Sequence, residues 1–255
     1  MKCYFLRFRN YFFNFGSTNQ SQKLIMKSFI LSVITICLVS SLGFSQSACS
    51  KYYPLEEGTT FQYTNYDKKG KLSGSIDYTT TNYRKEDGLE IVTMKVKTKD
   101  KKGKETVDFY YDISCDGNGI SIDFKSLGNM GMLQQFEDME TEITGTNTLI
   151  PNELVVGQEL PDSEMKMKIS MAGMAMNVDV ITKDRKVISE ENLTTPAGTF
   201  NCLVMQTTTE SNVMGKKMSY TTKSWIAEGV GMVKQESYDD KGNLMNYSEL
   251  TKLNK

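Results

Sequence analysis

Methionine is the residue type in this sequence whose number and spacing best fit a chemical role. Of the 16 methionines, 13 lie between Met130 and Met245. Two runs on either side of Ala172-Gly173 alternate apolar with polar or small residues, and their methionines are Met165, Met167, Met171, Met174 and Met176. Because side chains alternate between the two faces of a strand, this spacing predicts a hairpin with one methionine-lined face.

Three uses of such a face are open. Ordinary core packing is the commonest. Flexible, polarizable thioethers also suit the wall of an apolar cavity that accepts variable ligands such as acyl chains, and Phe136 would then join the five methionines as a ligand contact. Thioethers are also soft ligands for Cu(I), which defines a copper-binding alternative.

The usual catalytic groups are missing from the sequence. It contains no histidine, and with that it lacks the commonest general base, the histidine-dependent triads and most zinc sites. Acidic pairs such as Glu190-Glu191 are adjacent, so a strand would point them to opposite faces and a turn would leave them solvated. We therefore expect a non-enzymatic protein with no catalytic residues, no cofactor and, outside the copper alternative, no metal site.

The N-terminal part of the chain is predicted to direct export. Residues 26–48 have the pattern of a signal peptide, a basic start followed by an apolar run from Phe29 to Val39 that is short for a membrane span. Residues 1–25 are either a long positive n-region or lie upstream of the true start codon. Cleavage after Ser45 would release a soluble protein to the periplasm, which we favour. The alternative is a lipoprotein held at the outer membrane through Cys49, although Gln46 stands where such sites carry an aliphatic residue.

Three cysteines, Cys49, Cys115 and Cys202, remain as disulfide candidates in a compartment that permits disulfides. If Cys49 is lipidated, Cys115 and Cys202 form the only available pair. If it is not, we prefer a bridge between Cys49 and Cys115, with Cys202 as a buried thiol. Cys202 shares a predicted strand face with Phe200 and Val204, which suits a small apolar side chain.

The charge of the exported part argues against two classes of partner. Removal of residues 1–49 takes away five basic residues and no acidic ones, which leaves 25 basic against 31 acidic residues and a net charge of −6. Nucleic acids and anionic membrane surfaces both reward clustered lysine and arginine. We therefore expect no nucleic-acid partner, and a membrane association only if Cys49 is lipidated.

The pattern after residue 50 is almost entirely that of β-strands. Short segments alternate apolar and polar residues and are separated by turn signals, among them three similar Asp-Lys-Lys-Gly or Asp-Asp-Lys-Gly turns beginning near Asp67, Asp100 and Asp239. Only residues 129–141 have apolar residues at helical spacing, which predicts one short helix. The expected fold is a mainly β antiparallel meander forming a curved sheet, half-barrel or barrel, within a single domain over residues 50–255.

Two motifs mark a structural corner in the last third of the chain. One is Pro196-Ala-Gly198-Thr-Phe200, and the other is Trp225-Ile-Ala-Glu-Gly229-Val-Gly231-Met-Val. With them, and with Cys49-Ser-Lys-Tyr-Tyr-Pro54 and Glu57-Gly58, the chain resembles the TapB-like exported proteins of Gram-negative bacteria, a domain family of unknown function. The resemblance covers the whole mature region, and it implies export and a curved antiparallel sheet distantly similar to the half-barrel of periplasmic lipoprotein carriers. It carries no catalytic residues.

These observations favour an envelope protein that binds an apolar ligand or lipid moiety in a methionine-lined concavity. The first alternative is a structural accessory subunit that binds another envelope protein, and the second is a Cu(I)-binding periplasmic protein.

Overall fold

Alternation of apolar and polar residues produces one long antiparallel sheet. The structure, a computed structural model, describes residues 49–124, 140–171 and 174–255, with the backbone alone at Glu140, Met171, Met174 and Ala175. In sequence order the strands are β1 Thr60–Asp67, β2 Leu72–Glu86, β3 Leu89–Asp100, β4 Glu105–Cys115, β5 Gly119–Ile122, β6 Glu140–Gly145, β7 Thr148–Pro151, β8 Ser163–Met171, β9 Met174–Thr195, β10 Gly198–Val213, β11 Lys216–Ala227, β12 Gly231–Tyr238 and β13 Leu244–Asn254. Strand β3 is representative, because Val92, Met94 and Val96 are buried while the residues between them are only partly covered.

The sheet consists of two meanders that are joined by the pairing of β13 with β1. The strand order runs β6-β8-β9-β10-β11-β12-β13-β1-β2-β3-β4-β5-β7, so the last strand of the chain pairs with the first described one. The sheet is curved and its edges are not joined by a ladder. Strands β6 and β7 are consecutive in the chain, yet they form opposite edges of the sheet. Only Thr146 and Asn147 separate them, so the curvature must bring the two edges together.

Side chains and loop backbone link the edges where they meet. The Thr146 amide donates to the Glu164 carbonyl at 2.8 Å, and the hydroxyls of Thr148 and Ser163 lie 2.9 Å apart. Gly145 is needed at this point, because a Cβ there would lie 2.1 Å from the Glu164 carbonyl oxygen. These contacts hold the two edges of the curved sheet next to each other.

Arg185 on β9 is a buried side chain that links the two edges of the sheet by hydrogen bonds. Its side chain is 2% exposed and donates to the carbonyls of Pro161 and Leu149 at 2.6 and 2.7 Å. Burial lowers the pKa of Arg185, yet the group is so strongly basic that it stays charged. Charge-assisted hydrogen bonds from one guanidinium therefore tie β9 to the opposite edge strand.

Both faces of the β9 to β12 region are packed. Leu203 and Met205 lie with the main core, which also holds Val187 and Ile226. The intervening residues Cys202 and Val204 pack with Trp225, Ala227 and Val233 in a second cluster on the other face. The corner motifs contribute residues to both clusters.

The three aspartate turns form as predicted. In each, the aspartate carboxylate accepts two backbone N–H bonds within the turn, at 2.8 to 3.0 Å. This side-chain capping fixes the hairpins β1–β2, β3–β4 and β12–β13.

The prediction of a mainly β, antiparallel, curved sheet is confirmed. The predicted helix at residues 129–141 falls mostly outside the described residues, and its last residue, Thr141, lies in β6. In the part of the chain that the structure describes, no helix has the length and apolarity needed to cross a membrane.

Candidate functional site

A partly open cavity of about 120 Å³ lies in the concave face of the first meander. Strands β1 to β5 supply most of its wall, β12 adds Met232, and the N-terminal segment, residues 49–58, adds two side chains. The lining residues are Tyr53, Leu55, Phe61, Tyr63, Tyr78, Met94, Tyr111, Ile113, Ile120, Ile122 and Met232. None of these side chains is charged at neutral pH, so the cavity offers aromatic and aliphatic surface with phenol groups.

The N-terminal segment is held in place at several points. A disulfide joins Cys49 to Cys115 at the end of β4, with Cα atoms 5.5 Å apart. The Lys51 amide donates to the Asn152 side-chain oxygen at 2.8 Å, and the Lys51 carbonyl accepts from the Gly229 amide at 3.0 Å. These links position Tyr53 and Leu55 as one wall of the cavity.

The Trp225–Val233 corner motif, which contains the turn between β11 and β12, determines the position of Tyr53. Gly231 has φ +84°, and a Cβ built there would lie 2.6 Å from Tyr53 Cδ1 and 2.8 Å from Cε1. Carbon atoms in normal contact are about 3.5–4.0 Å apart, so only glycine lets the tyrosine ring approach the backbone this closely. The motif therefore shapes the cavity although it contributes only Met232 to the lining.

Four tyrosines bring their phenol groups into one neighbourhood. Tyr63, which is 5% exposed, donates its hydroxyl to the Met232 carbonyl at 2.7 Å. Its ring meets that of Tyr78 edge to face, with centroids 5.6 Å apart. The structure gives no hydrogen-bond partner, among the residues it describes, to the hydroxyls of Tyr53, Tyr78 and Tyr111.

The electrostatic environment keeps these phenols protonated. Burial raises the pKa of all four tyrosines above the ordinary value. For Tyr53, Tyr63 and Tyr111, repulsion from the neighbouring phenolates is a second cause of the raised pKa. At physiological pH each group is therefore a neutral hydrogen-bond donor, and the site can bind an apolar body that carries an acceptor.

The methionines of the hairpin whose side chains the structure describes, Met165, Met167 and Met176, are not among the lining residues of this cavity. Met165 and Met167 are partly buried, and Met167 borders a shallow polar depression with Lys166, Lys168 and Asp179. In the β8–β9 ladder Met167 faces Val178, and Met176 faces Ile169, which is buried. The side chains of Met171 and Met174, and all of Phe136, lie outside the described residues. Ligand contact by the methionine hairpin stays a prediction.

Copper binding by this hairpin also stays a prediction. Within residues 49–124, 140–171 and 174–255, no group of three or more His, Cys, Asp or Glu side chains could hold a metal ion. That statement does not extend to thioether ligands.

Cys202 and the two aromatic residues of the corner, Phe200 and Trp225, pack against other parts of the fold. Cys202 is a free thiol with no exposed surface, and burial, with a smaller effect from Glu191, raises its pKa to about 11. The Trp225 indole N–H donates to a Glu191 carboxylate oxygen, and Lys234 lies 5.4 Å from the ring centroid. Phe200 packs against Gly198, the first residue of β10, which follows the two-residue turn Pro196-Ala197.

The cavity tyrosines were not among the candidates that the sequence offered. Their signal was present: Phe61 and Tyr63 alternate on one predicted strand, and Tyr111 alternates with Ile113 on another. A tyrosine at a core position of a strand carries a hydroxyl that must be satisfied. The sequence could not supply the pairing that sets Tyr78 between Tyr63 and Tyr111. The register of these consecutive strands is shifted by irregularities such as the one between Thr80 and Asn82, which alternation alone does not predict.

Comparisons with known structures show the same fold in two bacterial proteins. A predicted exported protein with a YmcC-like fold from Bacteroides fragilis NCTC 9343 is 20% identical, with a TM-score of 0.62 over 81% of this chain and 100% of that one. A predicted lipoprotein from Parabacteroides distasonis ATCC 8503 is 22% identical, with a TM-score of 0.62 over 80% of this chain and 99% of that one.

Comparisons of sequence identify the family. No curated protein matches the chain. The model of the DUF3108-like family matches residues 56–250, which include strands β1 to β12, the first seven residues of β13 and all of the cavity lining except Tyr53 and Leu55. This family is uncharacterised, and nothing in the comparisons points to catalysis. The chain belongs to the DUF3108-like family.

Proposed function

We propose that this protein is a non-enzymatic envelope protein that binds a small apolar ligand, or the apolar end of a lipid moiety, in the tyrosine-walled cavity. The observation that carries the proposal is the cavity itself, a concave apolar site with a few convergent polar groups. Such sites are the usual form of small-molecule binding sites. The proposal moves the expected ligand site from the methionine hairpin to the opposite half of the sheet.

Export to the cell envelope is part of the proposal. It is supported by the signal-peptide pattern of residues 26–48 and by the descriptions of the two structural neighbours as an exported protein and a lipoprotein. The Cys49–Cys115 disulfide favours soluble release, because a cysteine sulfur in a disulfide is not free to carry a lipid. The narrower resemblance to the TapB-like family is consistent with this location.

Native mass spectrometry of protein purified from its host tests the ligand. We expect an apolar adduct that organic extraction removes and that re-forms on addition of the extract. The variant Ile122→Phe fills one end of the cavity and should lose the adduct. Ile181→Phe makes the same chemical change at an exposed position outside the cavity and should retain it. An unliganded mass in every preparation, together with no uptake of small apolar probes, would refute the proposal.

A further inference from the structure

The polar groups of the cavity restrict the class of ligand that it can accept. Three phenol hydroxyls, those of Tyr53, Tyr78 and Tyr111, line the cavity without a hydrogen-bond partner in the described part of the chain. Resting on the proposed ligand-binding function, we propose that the cavity selects an uncharged ligand whose carbonyl accepts hydrogen bonds from these phenols while its apolar body contacts Ile113, Ile120 and Met94. An ester, amide or ketone has this chemistry.

The arrangement of donors supports a carbonyl acceptor. Tyr63 already donates to the Met232 carbonyl, so one tyrosine of the cavity makes a phenol-to-carbonyl hydrogen bond of the proposed kind. Strands β2 and β4 carry Tyr78 and Tyr111 on either side of Met94 in β3, through the pairs Tyr78↔Val96 and Met94↔Tyr111. A carbonyl oxygen has two lone pairs and can accept from two such donors at once. Tyr53, Tyr78 and Tyr111 are partly exposed, so their hydroxyls can bond to water, and a ligand carbonyl can take the place of that water.

The absence of charge among the lining residues argues against an anionic ligand. No lysine or arginine among the described residues contributes to the wall, and burying a carboxylate without a cation carries a large desolvation cost. The tyrosines lie in the same environment. Burial disfavours a negative charge on their oxygens and therefore raises the pKa of Tyr78 and of Tyr111. A carboxylate ligand would meet the same penalty.

The volume limits the buried part of the ligand. An engineered protein cavity of about 150 Å³ holds one benzene molecule, and the cavity here measures about 120 Å³. It therefore accommodates one ring, or the end of an acyl chain with its carbonyl. A longer chain would extend through the open side.

Three probes of nearly equal size separate the effect of the apolar ring on binding from the effects of a carbonyl group and of a negative charge. Ethylbenzene is apolar, acetophenone is neutral with a carbonyl, and benzoate is an anion at pH 7. Dissociation constants are measured by ligand-detected NMR with the disulfide-intact protein. We expect ethylbenzene and acetophenone to bind saturably, and benzoate to bind at least about tenfold more weakly than acetophenone, because the carboxylate must be desolvated.

Variants that delete one hydroxyl and keep the ring identify the donors. Tyr78→Phe and Tyr111→Phe should each weaken acetophenone binding about fivefold, the effect of one ordinary hydrogen bond, while ethylbenzene binding changes less than twofold. Tyr247→Phe is the matched control, because Tyr247 stacks on Tyr66 away from the cavity. Unchanged ethylbenzene binding also reports that each variant is folded.

The outcomes distinguish this inference from the proposed function. If ethylbenzene binds but benzoate binds as well as acetophenone, or if the two phenylalanine variants leave acetophenone affinity unchanged, the selection for neutral carbonyls is wrong while the apolar cavity stands. If no probe saturates, the cavity holds only water and both proposals are wrong.

Discussion

The contact between Gly231 and Tyr53 predicts how the corner motif acts on the cavity. In Gly231→Ala the new methyl group would lie 2.6 Å from Tyr53 Cδ1, about 1 Å inside a normal carbon contact. Alanine at the positive φ of this residue costs about 1–2 kcal/mol, and the displaced ring adds an overpacking cost of about 1–3 kcal/mol. The free energy of unfolding should therefore fall by about 2–5 kcal/mol.

Gly229→Ala provides the matched control. Gly229 also has a positive φ, +64°, but a Cβ at this position would have the flexible Lys255 Nζ as its nearest neighbour, at 3.8 Å. This variant should therefore show only the backbone cost, about 1–2 kcal/mol. Urea denaturation followed by Trp225 fluorescence measures both variants under the same oxidising conditions. Acetophenone and ethylbenzene binding then report whether the displaced Tyr53 ring has changed the cavity.

Two results would refute the reasoning. Equal destabilisation by the two substitutions would mean that the close approach of Tyr53 has no energetic consequence. Wild-type probe affinity in Gly231→Ala would mean that the ring position does not define the cavity wall. The expected pattern is a larger loss of stability, with at least a severalfold loss of probe affinity, for Gly231→Ala alone.

Three further predictions concern the framework. Replacing Cys49 and Cys115 by serine removes a bridge over 66 residues and should cost about 4 kcal/mol by the loop-entropy relation; equal urea midpoints with and without the bridge would contradict this. Cys202, buried and with its pKa raised to about 11, should resist iodoacetamide at pH 8 in the native protein and react once urea unfolds it, because the thiolate is the reactive form; rapid native labelling would show that the thiol is accessible. Arg185→Met should lower the free energy of unfolding by about 2–4 kcal/mol, since the carbonyls of Pro161 and Leu149 each lose a charge-assisted hydrogen bond from the buried guanidinium; a neutral effect would show that the sheet edges do not depend on this group.

Local patterns in the sequence were enough to predict the class of fold. Alternation identified the strands, and the aspartate turns formed because the capping chemistry is contained within a few residues. The meeting of the two sheet edges was not predictable in the same way. It depends on β6 and β7 separating to opposite edges and on Arg185 reaching two carbonyls far away in sequence, and neither leaves a local periodic signal.

The candidate site was harder to predict for a related reason. Methionine enrichment is visible in composition, and it drew attention to Met165 and Met167. The cavity instead depends on single tyrosines from several strands and on Tyr53 in the N-terminal segment, which the disulfide and the Gly229 amide hold in place. Each of these residues has an ordinary neighbourhood in the sequence, and only the sheet register brings them together.

The measurement that tests the central claim most directly is an NMR titration of protein labelled with ¹³C at the methionine methyl groups. Ethylbenzene is added, and the signals are assigned by single substitutions. The account predicts that Met94 and Met232, which line the cavity, shift saturably and with one dissociation constant, while Met165 and Met167 do not move. Saturable shifts at Met165 and Met167 with none at Met94 and Met232 would contradict it.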